Sequence, residues 1–224
     1  MQVAIDGPGG SGKSTLSRNL AKRLGFVYVD TGALYRAVGL FCSEKGVGVN
    51  DEEEVRKTIE GKLKLSIKLI DGEQRVFSNG EDVSEKIRRD EVSMWASDVS
   101  KLPFVREFLL KLQRDMAETN SVIMDGRDIG TVILPNADVK IFLTAADTER
   151  AKRRHEELIE KGAQISYSEV LEELRKRDHN DTHREIAPLK QAKDAVLIDS
   201  TGLSFEQTAQ KLYETIVAAR NEAI

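Results

Sequence analysis

Hydrophobic and polar positions change period several times along this chain, and the changes mark out its elements. Val3, Ala4 and Ile5 form a short unbroken apolar run, which predicts a buried strand over 2–6. Leu16, Leu20 and Leu24 then recur every fourth residue, which predicts a helix over 14–24 stopped by Gly25. Residues 26–29 read as a second strand, closed by Asp30-Thr31-Gly32, and a second helix is expected from 33 to 44. Strand, helix, strand is the opening of a parallel sheet.

A short acidic helix is expected over 51–60, and then the period drops to two. Leu63, Leu65, Ile67 and Leu69 alternate with Lys62, Lys64, Ser66 and Lys68, the pattern of a half-buried strand. Asp71-Gly72 is a hairpin turn signal, 75–78 is the returning strand, and Asn79-Gly80 turns the chain again. An antiparallel hairpin inside a strand–helix alternation predicts an inserted β subdomain over 61–90. Helical patterning resumes over 91–100 and 103–119. Apolar strands are expected at 121–125, 139–143 and 195–199. Charged helices are expected over 147–161 and over 168–178, with Ser168 as candidate N-cap. An amphipathic helix over 205–220 follows. The fold class is therefore α/β, a doubly wound five-stranded parallel sheet with a small antiparallel insert.

Composition narrows the class. The 224 residues suffice for one sizeable core plus an insert. No apolar run approaches the ~20 residues of a membrane span, so no membrane partner is expected. The net charge of −4 argues against a nucleic-acid partner and requires any phosphate site to come from local basic clusters. A single cysteine, Cys42, excludes an internal disulfide and a cysteine-based zinc cluster. Met1–Ile5 run straight into a glycine loop, leaving no room for a signal peptide, so a cytoplasmic location is expected.

That loop, IDGPGGSGKST, satisfies two motifs at once. Gly7, Gly9 and Gly12 spell the dinucleotide fingerprint, while Gly7, Gly12, Lys13 and Ser14 spell the P-loop. Asp30 sits near where a dinucleotide fold places its ribose-binding acid. The P-loop wins on chemistry. Lys13 follows the last glycine directly and suits the β- and γ-phosphates, which a dinucleotide has no use for. Ser14 supplies the hydroxyl that holds Mg²⁺, and VIMD ends in Asp125, a second candidate for the metal. Arg150, Arg153, Arg154, Arg175, Arg177 and Arg184 cluster late in the chain, where planar cations suit the charge of phosphoryl transfer. Gly7, Pro8, Gly9, Gly10, Ser11, Gly12, Lys13, Ser14 and Thr15 are thus candidate ATP-binding residues.

A P-loop by itself does not separate a GTPase, a motor and a kinase. No N-K-x-D guanine-reading motif is evident. DTGALYR offers a hydroxyl (Thr31), an aromatic plane (Tyr35) and a cation (Arg36); DGRDIGT adds Arg127 and Asp128. Both follow strands, and ligands of such folds bind at the carboxyl ends of strands. These two segments are the candidate second site of a small-molecule kinase.

Together with GEDVSEKIR, MDGRDIGTVILPNADVKIFL and RDHNDTHREIAPL, they make the chain resemble the bacterial cytidylate kinases nearly from end to end. The resemblance implies transfer of the γ-phosphoryl group of ATP to CMP or dCMP, with Mg²⁺. It implies Arg36 and Arg127 on the acceptor phosphate, with Tyr35 and Thr31 beside them. It implies Ser97, Arg106 and Asp128 on the cytosine edge, and Arg177, Asp181 and Arg184 on the sugar and phosphate. Arg154 resembles a lid arginine; with Lys13, Arg127 and Arg177 it makes the candidate catalytic set. Some relatives carry serine at Thr31 and glycine at Ser14. The implied organisation is one P-loop kinase domain and a monomer: core (1–30, 104–146, 185–224), acceptor region with insert (31–103) and helical lid (147–184). A kinase for UMP, AMP or shikimate, or a nucleotide-sensing protein, is the alternative.

Blander roles compete for several residues. Arg36 as a surface arginine is the alternative to a ligand, but it lies one helical turn from a loop at the active edge. Asp125 could be a structural strand-end acid. A charge run such as Arg150, Arg153 and Arg154 is usually solvated. His155, His179 and His183 lack metal-ligand spacing and read as surface residues, and Trp95 and Cys42 read as packing.

Overall fold

The structure, a computed structural model, describes residues 1–48, 51–70 and 73–222. The turn expected at Asp71-Gly72 lies outside them. The chain forms two compact units, Met1–Phe26 with Ser121–Ile224, and Val27–Asn120. The first opens with β1 (Gln2–Asp6) and α1 (Lys13–Leu24). The second carries β2 (Val27–Asp30), α2 (Thr31–Glu44), α3 (Glu52–Ile59), β3 (Leu65–Ile70), β4 (Glu73–Ser78), β5 (Glu81–Asp82), α4 (Asp90–Val99) and α5 (Pro103–Glu118). The chain then returns to the first unit with β6 (Val122–Gly126), β7 (Val139–Thr144), α6 (Asp147–Glu160), α7 (Tyr167–His183), β8 (Val196–Asp199) and α8 (Phe205–Glu222).

One sheet has the order β2-β6-β1-β7-β8, five strands as expected, and a second has the order β3-β4-β5. In the first unit β1 runs parallel to both β6 and β7, and β7 parallel to β8. Val3, Ile5, Ile123, Met124, Ile141 and Leu143 are almost fully buried, which is why these strands read as unbroken apolar runs. α1 and α8 pack on this sheet, burying Leu16 and Leu20 from one and Leu212 and Ile216 from the other. The second unit has its own core, built on Leu34, Val38, Val92, Val105 and Leu109. Cys42 is buried there and Trp95 packs against it, both as packing residues. β3 pairs antiparallel with β4, and Asn79 and Gly80 take the positive φ values of 50° and 88° that the next turn demands.

Several boundaries differ from the sequence expectation for identifiable reasons. The second helix starts at Thr31, two residues early, because the Asp30 side chain accepts from Ala33 N and caps it. The helix α7 is capped by Ser166 rather than Ser168. Ser166 and Glu169 form a reciprocal capping box, and the helix continues to His183 instead of stopping at 178. The short strand β5 was not expected; two residues carry no readable period. A π-helical turn at Ile129–Ile133 stands where a loop was expected.

Candidate functional site

In the first unit the end of β1 leads into the glycine loop. Gly7 has φ 151°, and a Cβ there would lie 1.9 Å from the Leu143 carbonyl oxygen. No other residue fits. Gly7→Ala is expected to destabilise the protein by about 3 kcal/mol or more; thermal unfolding of the purified variant checks this, and an unchanged midpoint would contradict it. Gly12, at φ 86°, ends the loop and hands over to α1, whose first turn has no side-chain cap. The N–H groups at that helix start carry partial positive charge and are free for an anion.

Lys13 is 5% exposed and folds back over the loop, donating to Pro8 O at 2.7 Å and to Ser11 Oγ at 3.3 Å. Burial pushes its ammonium pKa well below that of a free lysine; nearby Arg127 and Arg177 push the same way, against Asp125 and Asp6. Ser14 Oγ donates to Asp125 Oδ2 at 2.8 Å, so the two candidate metal ligands are side by side.

Arg127 and Arg177 lie over the same loop. An ideal Cβ on Gly9 would sit 3.7 Å from Arg127 Nη2 and 3.9 Å from Arg177 Nη1. Arg127 Nε donates to Asp181 Oδ2 at 2.7 Å, and Arg184 Nη2 to Asp128 Oδ1 at 3.3 Å. Burial opposes ionisation of Asp181, but Arg127, Arg177 and Arg184 outweigh it and hold its pKa below 3.8. Its contribution to stability is thus present above 3.8 and lost as pH falls through the lower folded value. Asp6 behaves oppositely: burial raises its carboxyl to about 6, despite N–H bonds from Gly130 and Ile129, so stability falls as pH rises from 3.8 to about 6.

On α6, Arg150 bonds the loop. It is 5% exposed and donates to Gly9 O at 2.8 Å, Ala145 O at 2.9 Å and Asp178 Oδ2 at 2.6 Å. Arg153 instead donates to Ser200, and Arg154 to Glu157 Oε2 at 2.8 Å on its own helix. Arg175 is exposed and pairs with Asp147. The sequence reading put Arg154 ahead of Arg150. Asp6 and Asp178 were not singled out either, although both are held by specific hydrogen bonds.

The second unit holds the remaining candidates. Thr31, Tyr35, Ser97 and Arg106 are each buried there. The Arg106 guanidinium carbon lies 5.7 Å from the Tyr35 ring centroid, and its Nη1 donates to Ser100 O at 3.2 Å. Ser100 Oγ in turn donates to Ser97 O at 2.8 Å, which fixes the end of α4. Ser97 Oγ is buried and finds no hydrogen-bond partner among the described residues. Arg36 pairs with Asp30 at 3.5 Å and is a quarter exposed. His179 and His183 are exposed and stack on each other, and His155 is half-buried with its Nε2 3.1 Å from Ile165 O. Among the described residues no cluster of three or more His, Cys, Asp or Glu is placed to hold a metal. No described helix is long and apolar enough to cross a membrane.

Comparison with known proteins bears on this arrangement. The family model "Cytidylate kinase" matches residues 3–218. A cytidylate kinase of Caldicellulosiruptor bescii is 54% identical over 96% of this chain and 94% of its own. One from Carboxydothermus hydrogenoformans is 49% identical over the full length of both. Among solved structures, an uncharacterized protein from Eubacterium ventriosum superposes with a TM-score of 0.54 at 13% identity, covering 97% of this chain and 98% of its own; that likeness concerns the fold alone.

Proposed function

The chain belongs to the cytidylate kinase family, and from that membership we propose that its P-loop site transfers the γ-phosphoryl group of ATP to CMP or dCMP, giving ADP and CDP or dCDP. The observation that carries this reading is the neighbourhood of Gly9, where Arg127 and Arg177 lie over a phosphate loop that already holds a buried Lys13. With Arg150 bonded to the Gly9 carbonyl, four basic side chains surround one loop and suit the charge that spreads over the equatorial oxygens in phosphoryl transfer.

The N–H groups of Gly7 and of residues 9–15 and the Lys13 ammonium take the ATP phosphates, while Pro8, which has no N–H, shapes the loop and holds Lys13 through its carbonyl. Ser14 and Asp125 offer adjacent hard oxygen donors, which fit Mg²⁺. That ion, when bound, would neutralise phosphate charge there. Arg36 and Arg127 take the acceptor phosphate, with Thr31 and Tyr35 beside them. Ser97, Arg106 and Asp128 read the cytosine edge. Ser97 supports this assignment, since its buried hydroxyl has no described partner and a base edge would supply one. Arg177, Asp181 and Arg184 take the sugar and phosphate, and Arg154 reaches the transferring group from the lid helices. An acceptor phosphate oxygen is anionic near neutral pH, so no strong general base is needed. Catalysis is positioning plus charge stabilisation, with water excluded as a rival acceptor. The proposal extends to a cytoplasmic monomer with nucleotide partners, Mg²⁺ as its cofactor, and neither nucleic acid nor membrane as a partner.

A panel of acceptors with ATP tests the reading. ADP release should be strongest with CMP or dCMP. Strongest release with UMP, AMP or shikimate would assign a different acceptor, and ATP binding without acceptor-dependent ADP release would make the protein a nucleotide sensor.

A further inference from the structure

Asp6 is the last residue of β1, directly before the phosphate loop, and only 4% exposed. A carboxylate in that position is costly to bury. Its two oxygens are divided between two donors. Oδ1 accepts from Ile129 N at 2.7 Å and Oδ2 from Gly130 N at 2.8 Å. These are the first two residues of the π-helical turn Ile129–Ile133, and Arg127 and Asp128 immediately precede it.

The turn is also held from behind. A Cβ on Gly130 would lie 3.2 Å from Lys140 Cδ, 3.3 Å from Lys140 Cγ and 3.4 Å from Asp6 Oδ2. Lys140 itself is anchored by Pro135 O at 2.5 Å and Asp194 Oδ2 at 2.7 Å. A side chain begun at Gly130 would therefore press on both the lysine stem and the carboxylate.

The first N–H groups of any helical turn lack partners within it. A carboxylate offers two acceptor oxygens, whereas an asparagine offers one acceptor and one donor. An acidic side chain gives each amide an oxygen of its own, as Asp6 does, and an asparagine cannot. Short π-helical turns are rare and concentrate at functional positions.

We propose that Asp6 is a positioning residue for acceptor binding: by accepting both opening N–H groups of the 129–133 turn, it sets where Arg127 and Asp128 are presented. This rests on the reading above, in which those two residues bind the acceptor nucleotide. One buried side chain then joins the strand that leads into the donor loop to the turn that carries the acceptor groups.

The test is Asp6→Asn, which keeps size and shape but turns one acceptor into a donor facing an N–H. KM for CMP should rise by about tenfold or more. KM for ATP should stay within about twofold, and amide exchange at Ile129 and Gly130 should accelerate. Constants for both substrates moving together, or neither moving, would overturn the inference. Should Asp6→Asn fail to fold, Gly130→Ala displaces the same turn while leaving Asp6 intact. It should show the same CMP-selective rise, and an unchanged KM for CMP in that variant would overturn the inference as well. A wild-type enzyme that does not phosphorylate CMP would instead overturn the functional reading on which this one rests.

Discussion

Lys13→Ala is expected to lower kcat by roughly 10²–10³-fold, the range seen when one preorganised charge-stabilising group is removed from a transition state. Steady-state turnover with saturating ATP and CMP measures it. The fold should survive. The Lys13 ammonium is buried and held by neutral acceptors, Pro8 O and Ser11 Oγ, and its charge is disfavoured there by burial and by two arginines. Removing a desolvated cation offsets much of what its lost hydrogen bonds cost, so the unfolding midpoint should move little. ATP affinity should fall less than kcat, because the loop amides and the α1 N-terminus remain. Near-normal turnover with unchanged ATP affinity would sink the assignment of the loop. Normal turnover combined with lost ATP affinity would make Lys13 a binding group only.

The second large effect is expected at Arg127. Arg127→Ala should reduce kcat/KM for CMP by roughly 10²–10³-fold, as for loss of a charge-assisted phosphate contact in a desolvated site. ATP binding, measured directly, should change by no more than about twofold. Stability needs a control, because Arg127 is the hydrogen-bonded partner of buried Asp181. Breaking a buried pair costs about 3–5 kcal/mol when the remaining charge is stranded. Asp181 is not stranded, since Arg177 and Arg184 also act on it, so a smaller loss of stability is expected. Arg127→Lys separates the two effects. It keeps the charge beside Asp181 but loses the planar fork that grips phosphate, so stability should recover more than activity does. An equal fall in ATP and CMP affinity would show that the two sites are not divided as proposed.

The donor side of the site was legible because its parts are contiguous. Gly7 to Thr15 form one contiguous run, the loop and the first residues of α1, and Lys13-Ser14 resolved its double motif. Other features were hidden by even composition. Arg150, Arg153 and Arg154 sit in one charged stretch, and their spacing does not say which of them turns inward. Only packing distinguishes Arg150, whose guanidinium bonds both the loop carbonyl of Gly9 and Asp178 on α7. Ser166 and Ser168 are equally good caps by residue type; Glu169, three residues after Ser166, decided between them.

Asp6 shows where reading along the chain stops. In sequence it is one more acid at the end of a strand, like Asp30 and Asp199. Its partners are Ile129 and Gly130, whose amides are invisible to any composition or period because every residue there has one. What the sequence alone determined was the order of elements, the five parallel strands, the phosphate loop and the chemical class of the reaction. These follow from local period and short-range spacing, which the backbone imposes within a few residues. What only the tertiary structure decided was which of several equivalent charges is buried, and against what. That choice depends on desolvation and on partners more than a hundred residues away, and neither leaves a mark on the local pattern.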